Sequence, residues 1–129
     1  MGIKKSNKIK FKRTLCFDLD NTLCKTKGSK YEKSVPIKNK IKYVNSLYNK
    51  NYYILIFTAR YMGKFKGNRS KVLNYGYNKT LKQITNWGLK FNKLEMGKPS
   101  YDYIIDDKSI FFKNNWVKEM NKILNKKNR

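Results

Sequence analysis

The chain contains no histidine. That absence removes the commonest general base, the usual Ser/His triads and the commonest zinc ligand. Acidic residues are nearly as scarce, with 8 Asp and Glu against 31 Lys and Arg. Two cysteines, Cys16 and Cys24, are too few for a zinc site or a disulfide framework. Cys16 lies in an apolar run and reads as a buried small residue. No run of residues approaches the ~20 apolar positions of a membrane span, and the basic start, 1–10, lacks the apolar stretch of a signal peptide. A cytoplasmic protein in a reducing compartment is the expectation, with no membrane span.

What is present suits one folded domain over 1–129. Apolar residues make up 40% of the 129 positions and aromatics 15%, enough for a core and unlike a disordered chain. The formal charge of +23 draws polyanions such as nucleic acid, acidic membranes or phosphorylated substrates. An abundance of Lys, Asn, Ile and Tyr also follows from A+T-rich coding, so the charge alone assigns no partner.

Against that basic background the acids are informative. Four of the eight fall in two tight pairs, Asp18/Asp20 and Asp106/Asp107, each after an apolar run. The run at 14–19 reads as a buried strand that ends in carboxylates. Residues 23–35 read as loop or flap. Ser34 suits a helix cap and Pro36 its first turn; Ile37, Ile41, Val44, Leu47 and Tyr48 then recur at helical spacing. Residues 52–57 form a second buried strand, ending in Thr58-Ala59-Arg60. A Gly-containing loop over 61–69 leads to a helix over 70–87, with Leu81, Ile84 and Trp87 on one face. Gly76 weakens its early part and Gly88 suits its stop. A short strand is expected near 91–95, a turn at Gly97-Lys98-Pro99, and a fourth strand over 101–105 feeding Asp106-Asp107. The last helix carries Trp116, Met120, Ile123 and Leu124, and both the arm 1–10 and the tail 125–129 read as frayed.

The order is β-α-β-α-β-β-α, and the strands show little apolar alternation. That pattern predicts an α/β fold with a parallel sheet buried on both faces by helices, three layers in all. Sites in open α/β sheets lie at the carboxyl ends of the strands. Asp18/Asp20, Thr58 and Asp106/Asp107 all stand at such ends.

Two carboxylates spaced as Asp18-x-Asp20 can face one pocket, one as nucleophile and the other as general acid. Oxygen ligands without His or Cys point to a hard cation, Mg²⁺. Thr58 offers a hydroxyl and a backbone N–H to a phosphoryl oxygen, Lys98 a full positive charge, and Arg60 a grip on a second anionic group. Each has an ordinary structural reading as well: a turn, a strand end, one lysine among many, a surface arginine.

Taken in order, Asp18-x-Asp20-x-Thr22, Thr58, Lys98 and Asp106-Asp107 resemble the four motifs of haloacid dehalogenase-superfamily phosphatases. The resemblance spans about 14–112, and CFDLDNTLC is its most specific part. ITNWG, GKPSYDYIIDDKS and IFTARYM also resemble small phosphatases of capsule and surface-polysaccharide clusters. The resemblance implies a Rossmann-like core and a Mg²⁺-dependent phosphohydrolase. Asp18 would form an aspartyl-phosphate; Asp20 would protonate the leaving oxygen and then activate water, its carbonyl touching the metal. Thr58 would bind a phosphoryl oxygen and Lys98 would neutralise charge. Asp107, with Asp106 alongside, would ligate the metal with Asp18. Thr22 and Asn21 would support the loop against substrate.

The segments between motifs leave no room for a cap domain. The expected site is therefore open, either to large substrates or to a neighbouring subunit of a homo-oligomer acting as lid. The leading expectation is a small phosphorylated metabolite such as a sugar phosphate. Nucleotide or nucleic-acid ends are the alternative, and a catalytically silent polyanion-binding module is the reading from a different class.

Overall fold

A computed structural model describes residues 10–126. The expected frayed arm over 1–10 and the tail end at 127–129 lie almost wholly outside the described residues.

Three parallel strands form the sheet: β1 (Thr14–Phe17), β4 (Tyr53–Phe57) and β5 (Lys93–Glu95), in the order β1-β4-β5. A two-stranded antiparallel flap, β2 (Cys24–Lys25) and β3 (Val35–Pro36), leaves the sheet after β1. Three α-helices complete the described residues: α1 (Lys38–Asn49), α2 (Arg69–Asn86) and α3 (Trp116–Asn125). This is a mixed α/β fold with helices against a parallel sheet.

Register explains where the core sits. Leu15 lies opposite Ile54, and Phe17 and Leu94 both lie opposite Ile56. Partners in register share a face, so these five apolar side chains form one apolar surface. Ile54 and Ile56 are fully buried there with Ile41, Val44 and Leu47 of α1. Trp116 of α3 lies 5.8 Å from the Phe17 ring, and Trp116, Met120 and Leu124 recur at a spacing of four to form the buried stripe of that helix. Ile123, expected on that stripe, is 44% exposed.

The opposite face is only half-covered. Tyr53, Leu55 and Phe57 are intermediate in exposure, while Thr14, Cys16, Lys93 and Glu95 are exposed. Burial on both faces, and a buried Cys16, were the expectation; the structure corrects both. The reason lies in the segment expected as the fourth strand. Residues 101–105 pair with no strand and are exposed throughout, Tyr103 at 88% and Ile105 at 96%. Strand propensity describes fit to a pleated, half-buried surface, and without a partner the run has no ladder to join. One edge of β1 consequently stays unpaired among the described residues.

Two local expectations also shift. Pro36 pairs with Cys24 in the flap, and α1 begins at Lys38 after Ile37, with no side-chain cap. Ser34 ends a short turn of 3-10 helix instead. By contrast, α2 starts at an Asn68 cap that accepts from the Lys71 N–H. It stops at Gly88, whose φ of +83° carries a Schellman turn: Gly88 N–H to the Thr85 carbonyl, Leu89 N–H to that of Ile84.

Candidate active site

The chain leaves β1 extended, and alternation separates its side chains. Leu19 is fully buried, while Asp18 and Asp20 on either side of it reach a cleft. A tight turn follows. Asn21 adopts φ +62°, a conformation that asparagine tolerates better than most residues, and its N–H donates to the Cys24 carbonyl at 2.7 Å. The Asn21 Oδ1 accepts from the Thr26 N–H at 3.0 Å, so this exposed residue starts the flap rather than lining the cleft. Thr22 turns back and donates from Oγ1 to Asp18 Oδ2 at 3.3 Å, which orients that carboxylate.

The cleft has a volume of about 460 Å³ and is walled by Asp18, Asp20, Tyr31, Arg60, Lys98 and Tyr101, among others. A larger groove of about 590 Å³ lies between α1 and the Trp87–Lys90 turn, but it holds no acidic or nucleophilic cluster. The chemistry-bearing residues are therefore in the smaller cavity.

Lys98 faces Asp18 across this cleft, with Nζ 3.3 Å from Oδ1. Its backbone N–H donates to the Thr58 carbonyl at 3.1 Å, which fastens the turn to the end of β4. Partial burial alone would lower the Lys98 pKa. The Asp18 carboxylate and the Tyr101 phenol outweigh it, so the ammonium titrates above its ordinary 10.5.

Thr58 is fully buried at the end of β4 and stands behind the cleft wall. Its N–H is taken by the Glu95 carbonyl at 3.0 Å, and its Oγ1 accepts from the Arg60 N–H at 3.2 Å. The hydroxyl proton is what remains to it as a donor.

Arg60 does not project into the cleft as a free cation. It is 2% exposed, and its Nε donates to both oxygens of Asp20, at 3.2 and 3.0 Å. Nη2 donates to Asp20 Oδ1 at 2.9 Å and to Ser34 Oγ at 3.3 Å, and Nη1 to Gln83 Oε1 at 2.6 Å. In place of a second substrate anion, the guanidinium holds a protein carboxylate. Cys24 lies in the same network, fully buried, and burial raises its thiol pKa.

The fit to a divalent cation is incomplete. Among the described residues no three Asp, Glu or Cys side chains converge. Asp18 and Asp20 each already carry a basic partner. Asp106 and Asp107 lie on the exposed 101–109 segment and do not line the cleft. Asp106 instead closes a local turn, accepting from the Lys108 N–H at 2.9 Å.

Asp18, Asp20 and Lys98 are thus brought together at the carboxyl ends of the parallel strands. Arg60 and Thr58 support them from behind, and Asp106 and Asp107 are apart from them. Sequence reasoning missed Thr26, Ser34, Gln83 and Tyr31, which tie Asp20 and Arg60 to the flap and α2. Nothing in the spacing marks them, since they are isolated polar or aromatic residues scattered over the flap, its 3-10 turn and α2.

No protein-family model matches the chain, and no curated protein does. Among solved structures, the crystal structure of an MCSG target from Vibrio cholerae is similar, with a TM-score of 0.76 at 22% identity over 89% of this chain and 98% of that one. The likeness extends to the fold. No helix among the described residues is long and apolar enough to cross a membrane.

Proposed function

We propose that the chain is a phosphohydrolase of the haloacid dehalogenase type, capless, which cleaves a phosphate monoester through an aspartyl-phosphate on Asp18. The observation that carries the reading is the Asp18–Lys98 pair at 3.3 Å, facing Asp20 across one cleft at the strand ends. In such a site one Asp18 oxygen attacks phosphorus while the bond to the leaving oxygen breaks. Asp20 gives that oxygen a proton. Water, deprotonated by Asp20, then attacks phosphorus and frees Asp18. Lys98 counters the charge gathering on the equatorial oxygens.

Mg²⁺ belongs to this reading through the donor chemistry, which offers oxygen ligands alone. Its site would need Asp106 or Asp107 to reach Asp18. A small phosphorylated metabolite such as a sugar phosphate fits a cleft of this size. Arg60 is buried against Asp20, so among the residues lining the cleft Lys98, the more exposed cation, is the one left to meet phosphate, which favours a substrate with a single phosphoryl group over a polyphosphate.

The test is turnover of an aryl phosphate by the purified protein with Mg²⁺, with EDTA, and as Asp18→Asn, followed by a panel of sugar phosphates and nucleotides. Turnover that needs Asp18 supports the reading. Turnover that survives Asp18→Asn refutes it.

A further inference from the structure

We infer that Arg60 is a positioning residue for Asp20, and that it divides the labour between the two oxygens of that carboxylate. The inference rests on the phosphohydrolase reading and goes beyond it, because it assigns the proton-transferring atom and the residues that aim it.

Two elements reach Asp20 directly, and a third, α2, braces the Arg60 that grips it. From the flap, Thr26 Oγ1 donates to Oδ1 at 2.6 Å and shares a hydrogen bond of 2.5 Å with Ser34. From the end of β4, Arg60 reaches Oδ1 through Nη2 at 2.9 Å and both oxygens through Nε. From α2, Gln83 accepts from Arg60 Nη1 at 2.6 Å and donates from Nε2 to the Tyr31 carbonyl at 2.9 Å. The Tyr31 ring lies against the guanidinium at 5.2 Å. A planar fork held at both ends and on one face has no freedom to rotate, so the plane of the carboxylate it grips is set as well.

The contacts are unequal. Oδ1 receives Thr26, Arg60 Nη2, Arg60 Nε and the weak Cys24 thiol donor. Oδ2 receives Arg60 Nε alone. Oδ1 is therefore the anchored oxygen and Oδ2 the working one. The proton passes from Oδ2 to the leaving oxygen as its bond to phosphorus breaks. Oδ2 later takes a proton from the water that hydrolyses the aspartyl-phosphate.

A general acid matters most where the leaving group is poor. The test compares kcat on an alkyl phosphate, glycerol phosphate, with kcat on p-nitrophenyl phosphate, whose phenolate leaves with little help. The variants are Arg60→Met, Arg60→Lys, Gln83→Leu and Asp20→Asn, each checked for folding by thermal unfolding. Arg60→Met should lower the alkyl-to-aryl ratio by about ten-fold or more, within the range a general acid supplies. Gln83→Leu should move it the same way by roughly three-fold, a fraction of that range, and Arg60→Lys should restore part of it. Added to Asp20→Asn, Arg60→Lys should cost nothing further. Should Arg60→Met fail to fold, Gln83→Leu and Arg60→Lys decide the matter. Equal losses on both substrates would overturn the assignment, and so would a loss confined to KM, which would make Arg60 a substrate contact. A wild-type protein inactive on both esters would instead bring down the phosphohydrolase reading and this assignment with it.

Discussion

Gly76 offers a decisive check on how the cleft is built. It lies mid-way along α2, where replacing glycine by alanine ordinarily stabilises a helix by about 1 kcal/mol. Here the opposite is expected. A Cβ at this position would stand 2.3 Å and 2.6 Å from Cδ2 and Cε2 of Tyr61, well inside van der Waals contact. The Tyr61 ring cannot retreat easily. It is 5% exposed, packs edge-on to Tyr31 and Tyr75 at 4.9 and 5.1 Å, and its hydroxyl donates to Glu32 at 3.3 Å. Its backbone sits at φ +67°, where a bulky side chain is already strained. Overpacking of this kind costs about 1–3 kcal/mol, which cancels or exceeds the helical gain. Gly76→Ala should therefore be less stable by up to about 2 kcal/mol, seen in urea as a lower midpoint at unchanged slope. Tyr61 follows Arg60 directly, so turnover should fall as well. Tyr61→Leu should remove the penalty, making Gly76→Ala neutral or stabilising in that background. A single Gly76→Ala variant more stable than the parent would refute the close packing of α2 on Tyr61.

Other outcomes are open to measurement. Lys98 gains its cationic form from Asp18 and Tyr101, so its contribution to the folded state is complete below the ordinary lysine pKa and is lost only as pH rises through the raised one. The alkaline limb of kcat/KM should then lie above pH 10.5 if Lys98 sets it, and Lys98→Met should lower turnover sharply at every pH while leaving the acid limb of the residual activity in place; an alkaline limb near neutrality that is missing from that residual activity would contradict this. The Mg²⁺ proposal requires Asp106 and Asp107 to approach Asp18, so adding the ion should slow amide exchange across 101–107. Unchanged exchange alongside EDTA-sensitive turnover would mean that the ion is held without them. Tyr61, pushed up to about 12 by burial with Glu32 beside it, should show no phenolate absorbance below pH 11 in the folded protein.

The parts of the fold legible in the sequence were those fixed by short-range pattern. Strands at 53–57 and 14–17, α2 with its glycine stop, and the Trp116, Met120 and Leu124 stripe of α3 follow from spacing and the glycine signal, and the structure places each within a few residues of expectation, though only one face of the strands is buried. The placing of Asp18 and Asp20 at a cleft follows as well, because carboxyl-end geometry is a property of parallel sheets in general, whereas Lys98 was marked only by its spacing and by the resemblance. Two things were not legible. Arg60 reads from sequence as a grip on a second substrate anion or as a surface cation, and only the convergence of Asp20, Ser34 and Gln83, from elements 23 to 40 residues away, turns it inward. The run at 101–105 reads as a strand because its composition is that of one, yet composition cannot supply the ladder a strand needs. The consequences are connected. The half-covered face of the sheet, the unpaired edge of β1, the exposed Ile105 and the distance of Asp106 and Asp107 from the cleft all trace to this one segment lying off the sheet. A chain with so few acids has placed two of them on that segment, so the cation-binding half of the proposed chemistry depends on where 101–107 docks. Asp18, Lys98 and Asp20, the proposed nucleophile, its lysine and the proposed general acid, are assembled without it.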